Sequence, residues 1–233
     1  THYFNRMDMK TLTLPLTFSW LQNQLTNIKN TLLDMTTYQS FDVSGRLCFA
    51  VDGRGAVIEH RYDLGNREIQ HIAYDAFLSQ AELINLKNGI LSRTIAASDR
   101  IRVNFYNADG RVCATQDAMG YITTYQYNLA GFLIYERHYA NPLPIILNNV
   151  LPELTHSAED YAKYYYPDAL GHARVIVDDV TGANDVMTQE FYPTGKMRRE
   201  IKYANPAPMA PTAQSNSAQL IPVHNPEDQT TYN

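Results

Sequence analysis

The chain has 233 residues and a formal net charge of −5, from 19 Lys and Arg against 24 Asp and Glu that are spread without long runs. This charge balance argues against a nucleic-acid binder, and no stretch approaches the roughly eighteen apolar residues of a membrane span. Two cysteines, Cys48 and Cys113, are too few for a disulfide framework, and we expect both to be buried. The 17 tyrosines favour β-structure with much half-buried surface.

Residues 1–36 predict a strand followed by a helix. The stretch "TLTLPLTF" alternates apolar and polar residues as a strand does. A helical stripe follows, formed by Leu21, Leu25, Ile28, Leu32 and Met35. We expect this segment to lead into the rest of the chain or to cap it.

Three copies of one pattern follow. Phe41 aligns with Tyr106 at an offset of 65 residues, and the same offset relates the glycines, aspartates and tyrosines behind them. The third copy begins near Tyr165 or Tyr166 and is looser. The copies predict a first unit with a helical connector at 37–100, a second unit with its connector at 101–160, a third unit at 161–206, and a Pro-rich connector at 207–233 that continues into a longer array.

We expect the residues that define the pattern to have structural roles. In the first copy they are Phe41, Asp42, Gly45, Arg46, Asp52, Gly55 and Tyr62. In the second copy they are Tyr106, Gly110, Arg111, Asp117, Gly120, Tyr127, Gly131 and Tyr139. In the third copy they are Gly171, Gly182, Gly195 and Tyr203.

Glycines between apolar and aromatic segments predict short antiparallel strands joined by hairpins. Contexts such as "VSGR", "NADGR" and "LAGF" place glycine after a type I turn, at a residue with positive φ. Arg46 and Arg111 follow such turns, so we expect each to lie over a ring of the next strand or to pair with a carboxylate such as Asp42. The fold class predicted is mainly β: a repetitive antiparallel hairpin ribbon with short helices between repeats.

The segments between copies differ from one another. The stretch "SQAELINLKNG" predicts a short helix, with Ser79 and Glu82 as a capping box and Gly89 in the stop signal. The later segments are rich in proline, which ends strands because it cannot donate to the ladder. We expect the last of them to be extended.

No catalytic constellation is evident. Adjacent carboxylates, Asp178 with Asp179 and Glu159 with Asp160, would point to opposite faces of a strand. The sequence has neither a serine elbow nor a glycine-rich phosphate loop. The histidines considered lack metal-ligand spacing along the chain: His60, His71, His138, His156 and His172. We therefore expect no catalytic residue, no metal site and no cofactor.

The stretches "FDVSGRL…VDGRGAVIEHRYD" and "FYNADGRV…QDAMGYITTYQYN" resemble the RHS or YD-repeat family, in which an aromatic residue and Asp precede Gly-Arg-Leu, then Asp, Gly and an aromatic pair. The resemblance covers residues 36–74 and 101–142 well, and 161–206 less well. This chain departs from the pattern at Asn128, which replaces Asp, and at Phe132 and His172, which stand where Arg is usual. The stretch "YDLGNRE" is one residue short of it.

The resemblance implies a β-ribbon that coils into a hollow shell. Bacterial members, including toxin-complex C components and Rhs polymorphic toxins, enclose a toxic C-terminal domain, and animal teneurins use a similar shell for adhesion. The implied function is a non-catalytic part of a shell in a larger secreted or surface bacterial protein. Its partners would be the rest of the RHS chain and an enclosed toxin or effector domain, with no nucleic acid and no membrane span.

Two other functions stay open. Exposed tyrosines would also suit an adhesion or carbohydrate-binding module. An enzyme on a β-scaffold is the third reading, but only the presence of carboxylates and histidines favours it.

Overall fold

The computed structural model describes residues 35–179 and 184–232, which are mainly β as predicted. The described residues form thirteen strands, and the chain divides into two units, residues 1–101 and 102–233. The predicted leading strand and helix, and Gly182, lie outside the described residues. No described helix is long and apolar enough to cross a membrane.

The first unit is an antiparallel meander followed by a helix. Its strands pair in chain order, β1 with β2, β2 with β3 and β3 with β4. The elements are β1 (Tyr38–Phe41), β2 (Leu47–Val51), β3 (Val57–Tyr62), β4 (Glu68–Ala73) and α1 (Gln80–Lys87). β5 (Arg100–Tyr106) begins at the boundary between the units.

The second unit continues the same antiparallel order from β5 onwards. Its strands are β6 (Val112–Gln116), β7 (Ile122–Tyr127), β8 (Leu133–His138), β9 (Tyr161–Pro167), β10 (Ala173–Asp179), β11 (Asp185–Phe191), β12 (Met197–Lys202) and β13 (Gln229–Tyr232). One short helix, α2 (Ser217–Leu220), precedes the last strand.

Helix α1 forms where the sequence predicts it. The side chain of Ser79 accepts a hydrogen bond from the N–H of Glu82, and the Glu82 carboxylate accepts one from the N–H of Ser79. These reciprocal bonds satisfy N–H groups that a helix start leaves without partners. Beyond the helix, Gly89 has a φ of 72°. The predicted capping box and stop are both confirmed.

Several hairpins share a one-residue bulge beside the turn. In the β1–β2 pair, Ser40 is opposite Phe49 but Phe41 is opposite Leu47, so Cys48 is the extra residue. Cys113 is the extra residue of the β5–β6 pair in the same way. The prediction that both cysteines are buried is wrong, since each is only half-buried. A bulge residue leaves the regular alternation and so misses the buried face.

Each unit buries one face of its strands more fully than the other. In the first unit, Phe49, Val57 and Ile72 are buried. In the second, Val177 and Val186 pack with Leu220 of α2, which is fully buried. The prediction that the last connector is extended is therefore incomplete. Removing a leucine side chain from water contributes about 1.5–3 kcal/mol, which favours the helix that delivers Leu220.

Candidate functional site

The hairpin turns share one hydrogen-bonding arrangement, which we call the turn clasp. In the first turn, the N–H of Gly45 donates to the carbonyl of Asp42 over 3.0 Å, and Gly45 has a φ of 77°. The Asp42 carboxylate accepts from the N–H of Ser44 at 2.8 Å and of Arg46 at 2.9 Å. One carboxylate thus satisfies two backbone donors that the turn exposes.

The clasp recurs with the same spacing through the chain. Its acceptor is Asp52, Asp63, Asn107, Asp117, Asn128 or Asp168. The residue three positions later has positive φ in each case: Gly55, Asn66, Gly110, Gly120, Gly131 or Gly171. The turn at Gly195 has the same backbone bonds but begins at Tyr192.

Two departures from the pattern are therefore smaller than the sequence indicates. The stretch "YDLGNRE" does not lack a residue, because Asn66 takes the positive φ that we expected for glycine and Gly65 does not. Asparagine tolerates this conformation better than other residues with a side chain. The side-chain oxygen of Asn128 accepts a hydrogen bond from the N–H of Phe132 at 2.9 Å, so an amide oxygen replaces the usual carboxylate as the acceptor.

In four clasps, those of Asp42, Asp52, Asp63 and Asp168, the pKa of the carboxylate lies below its ordinary value. A hydrogen bond from the N–H of Arg46 lowers the pKa of Asp42, and bonds from Ala56 and Arg67 lower those of Asp52 and Asp63 in the same way. Burial by itself would raise the pKa of Asp168, but hydrogen bonds from His172 and Arg174 outweigh it and bring the pKa to about 2.

Arginines tie a turn to the neighbouring strand, as predicted. The Arg46 guanidinium lies 4.8 Å from the centre of the Tyr62 ring and 2.6 Å from the Asp42 carboxylate. Arg111 lies 5.7 Å from the centre of the Tyr127 ring. Both tyrosine hydroxyls donate back to a strand carbonyl, Tyr62 to Leu47 at 3.0 Å and Tyr127 to Val112 at 2.8 Å.

At this end of the strands, which we call the turn end, side chains from one turn also cover the following turn within each unit. Arg46 donates to Asn66 at 2.9 Å. A Cβ atom on Gly131 would lie 2.6 Å from Arg111, one on Gly171 would lie 2.5 Å from Phe132, and one on Gly195 would lie 3.4 Å from His172. The His172 ring stacks on Phe191 at 4.5 Å. Phe132 and His172 thus keep the covering position that arginine holds elsewhere.

At the opposite end, which we call the connector end, the segments between copies cover the turns. The N–H of Leu78 donates to the carbonyl of Gly55 at 2.7 Å, and that of Leu143 donates to Gly120 at 3.0 Å. In the third copy Ala207 makes the same bond to Asn184, which has a φ of 52°. Asn184 therefore has the role that we expected for Gly182.

An aspartate closes each connector. The Asp160 carboxylate accepts from the N–H of Ala140, where the connector leaves β8, and of Ser157, where it returns. Asp99 and Asp228 make the equivalent pairs of bonds. Burial alone would raise the pKa of Asp160, but these N–H groups hold it below its ordinary value. Sequence reasoning missed this role, although each aspartate directly precedes a strand.

The less buried face of the second unit carries a row of polar side chains. The Tyr165 hydroxyl donates to Glu136 at 2.9 Å, and Lys163 lies 3.3 Å from Asp178. Burial raises the pKa of Tyr165, with a further contribution from Glu136. A depression of about 520 Å³ lies here, lined by Lys163, Tyr165, Asp178, Asp185, Lys202 and Tyr203. The charged groups and tyrosines that line this depression could hydrogen-bond to a polar ligand or stack on one of its rings.

The adjacent carboxylates do not converge. Asp178 lies opposite Lys163, whereas Asp179 lies opposite Ala162 on the other side of the strand. Asp160 is engaged in closing its connector, and Glu159 is exposed. Among the histidines, His138 stacks on Tyr161 at 4.2 Å. Strand pairing brings His60 and His71 together, which their linear spacing did not predict.

No protein-family model matches the sequence, and no curated protein matches it. Solved structures of similar form include the crystal structure of TcdB2-TccC3-TEV, with 14% identity over 73% of this chain and a TM-score of 0.46. A mutant Tc holotoxin pore of Photorhabdus luminescens has 15% identity over 72% of this chain and a TM-score of 0.47. This chain spans 8% and 7% of the length of those chains. The antiparallel strand pairing, rather than these similarities, defines the fold.

Proposed function

We propose that the chain is a non-catalytic structural module of an RHS-type shell, within a larger secreted or surface bacterial protein that encloses or presents a toxin or effector domain. The observation that carries the proposal is that, within each unit, a side chain of one hairpin turn covers the following turn along the turn end. Packing between nearest neighbours of this kind allows an array to be extended copy by copy.

The outermost strands support a longer array. Among the described residues, β1 pairs only with β2, and β13 pairs only with β12. All four residues of β13 are exposed. A strand with one open side is a template for further pairing, so soluble proteins pair, cover or charge such edges. Flanking repeats would supply the missing neighbours.

The use of the charged groups supports a non-catalytic role. The aspartates of the clasps accept backbone N–H groups, and those of the connectors close loops. Both tasks are structural and keep the carboxylates fixed against the chain. The shell would act by confinement, excluding proteases from the domain inside it.

Protease protection tests the proposal. In the parent protein that contains this segment, the enclosed domain should resist a protease that digests the same domain expressed alone. Replacing Gly120 with alanine should open the array and expose the domain, because Gly120 is packed against a connector. Gly45→Ala should leave the domain protected, because nothing is packed against Gly45. Equal cleavage of the domain with and without the repeats would contradict confinement.

The depression beside Tyr165 favours a second candidate, a carbohydrate-binding module. Tyrosine rings beside carboxylates and lysines combine a stacking surface with hydrogen-bonding groups, which suits sugars. A glycan array should then show binding that Tyr165→Ala abolishes and Tyr121→Ala, at an exposed tyrosine outside the depression, preserves. An array without signal at high protein concentration would exclude this candidate.

A further inference from the structure

The β3–β4 hairpin brings two histidines and a glutamate together. His60 and His71 are direct partners across the two strands, with ring centres 4.9 Å apart. One carboxylate oxygen of Glu68, Oε1, lies 2.9 Å from Nδ1 of His60 and 3.3 Å from Nδ1 of His71. The side chains are partly buried, with exposures of 18% for His60, 29% for Glu68 and 31% for His71. Three metal-ligating groups therefore converge at a half-covered surface.

A bulge directs Glu68 to this face. Glu68 and His71 are three residues apart, so in a regular strand their side chains would point to opposite faces. The register shifts between Arg61 and Tyr62, which leaves Ile69 as the extra residue and places Glu68 opposite Tyr62. Bulges re-aim side chains in this way. The convergence thus follows from the backbone as well as from side-chain rotamers.

Glu68 also differs from its counterparts in the other hairpins. In those hairpins the residue between the turn and the bulge on the second strand is apolar: Leu47, Val112, Leu133, Ala173 and Met197. Packing at this position therefore does not call for a carboxylate. Among the described hairpins, only the one that carries Glu68 has histidines at both facing positions two pairs further along the strands, where the partners are His60 and His71.

We propose that His60, Glu68 and His71 form a binding site for a divalent transition-metal ion of the zinc class. Zinc bonds of about 2.0–2.1 Å in a tetrahedron place ligand atoms about 3.3 Å apart, close to the spacing of these nitrogen and oxygen atoms. Imidazole and carboxylate are ligands that suit zinc, copper and nickel. The ion would take the place of the hydrogen bonds between Glu68 Oε1 and the two Nδ1 atoms, with each neutral imidazole carrying its proton on Nε2, and a water molecule would complete the tetrahedron.

The bound ion would cross-link β3, through His60, to β4, through Glu68 and His71, close to the turn clasp of Asp63. It would add a link across strands that are also joined by the hydrogen-bond ladder and by a side-chain hydrogen bond from Arg61 to Gln70. This proposal does not rest on the proposed shell function, because the site lies within one hairpin.

Isothermal titration of the tag-free full chain with Zn²⁺ tests the site. We expect one saturable site per chain, which Glu68→Leu and His71→Ala weaken by at least about tenfold through loss of a ligand. Leucine is the natural residue at this position in β2 and β8, so Glu68→Leu should preserve the fold. His138→Ala is the control, because it removes a histidine from a different pair, 3.4 Å from Glu136, and should leave the affinity unchanged.

A second readout separates a built site from surface binding. Zn²⁺ should raise the melting temperature of the wild-type chain and of His138→Ala, but not of Glu68→Leu, because an ion that binds only the folded state stabilises it. Should His71→Ala fail to fold, the comparison of wild type with Glu68→Leu still decides the question. Absence of saturable binding, or equal affinities in wild type and Glu68→Leu, would overturn the proposal.

Discussion

The two ends of the strands are covered in different ways. At the turn end, the covering group is a side chain from the preceding turn, and arginine, phenylalanine and histidine all serve. At the connector end, the covering group is the backbone of a long segment that an aspartate closes. A covering side chain can be replaced by another flat side chain or can change its rotamer. A covering backbone carbonyl can do neither, because it belongs to a segment that is fixed at both ends. The connector end should therefore tolerate substitution less well than the turn end.

The largest difference should appear between two turn glycines. Gly120 and Gly45 both have positive φ, but a Cβ atom on Gly120 would lie 2.3 Å from the carbonyl oxygen of Leu143, and one on Gly45 would meet nothing within 4 Å. Gly45→Ala should cost about 1 kcal/mol of unfolding free energy from backbone strain alone. Gly120→Ala should cost about 3 kcal/mol, because overpacking adds to the same strain. Urea denaturation measures both, and equal costs would refute the overpacking of Gly120 against its connector.

The closure of a connector comes next in size. Asp160 is 2% exposed, and Asp160→Ala would leave the N–H groups of Ala140 and Ser157 without their acceptor and Arg137 without its carboxylate. We expect a loss of about 2–3 kcal/mol in the unfolding free energy.

Glu159→Ala is the matched control, since its exposed side chain is the direct neighbour of Asp160. It should change stability by no more than about 0.5 kcal/mol. Similar losses for both variants would show that the connector is not closed by Asp160.

A smaller, pH-dependent effect is expected at the turn end. Because the folded-state pKa of Asp168 is about 2, below its ordinary value of 3.8, the charged carboxylate stabilises the fold above pH 3.8 and this contribution is lost as the pH falls towards 2. Asp168→Asn keeps an acceptor for the turn but has no charge to lose.

Melting temperatures of both proteins between pH 7 and pH 2 check this expectation. The wild-type advantage over Asp168→Asn should be constant at neutral pH and should shrink below pH 4. An advantage that grows on acidification would contradict the assignment.

The smallest effect should come from exchanging one covering side chain for another. Phe132 covers Gly171 in the place that Arg111 holds above Gly131. Phe132→Arg should keep the melting temperature close to that of the wild type, whereas Phe132→Ala should lower it by a few degrees through lost packing. A loss with arginine as large as that with alanine would mean that the ring itself is required.

Local chemistry made much of the fold predictable. Gly45, Gly110 and Gly131 were identified from turn context, and α1 from its capping box, because those interactions join residues a few positions apart. The contact of Arg46 with Tyr62 could also be predicted, because the repeat places an aromatic residue at a fixed distance after each turn.

Long-range pairing accounts for what the sequence did not reveal. The Asp99 carboxylate accepts a hydrogen bond from the backbone N–H of Asp75, which is 24 residues away in sequence, and no local pattern identifies that partner. The convergence of Glu68 with His71 depends on a bulge, which reverses the side-chain alternation that a sequence reading assumes. Leu220 is buried by strands far from it along the chain.

The central claim is that this chain is one segment of a longer shell. The size of the native polypeptide tests it most directly, by immunoblotting the source cells with an antibody raised against the chain. We expect a band several times larger than 26.5 kDa. A band at 26.5 kDa would contradict it and would favour a short repeat protein that pairs its open strands with itself or a binding partner.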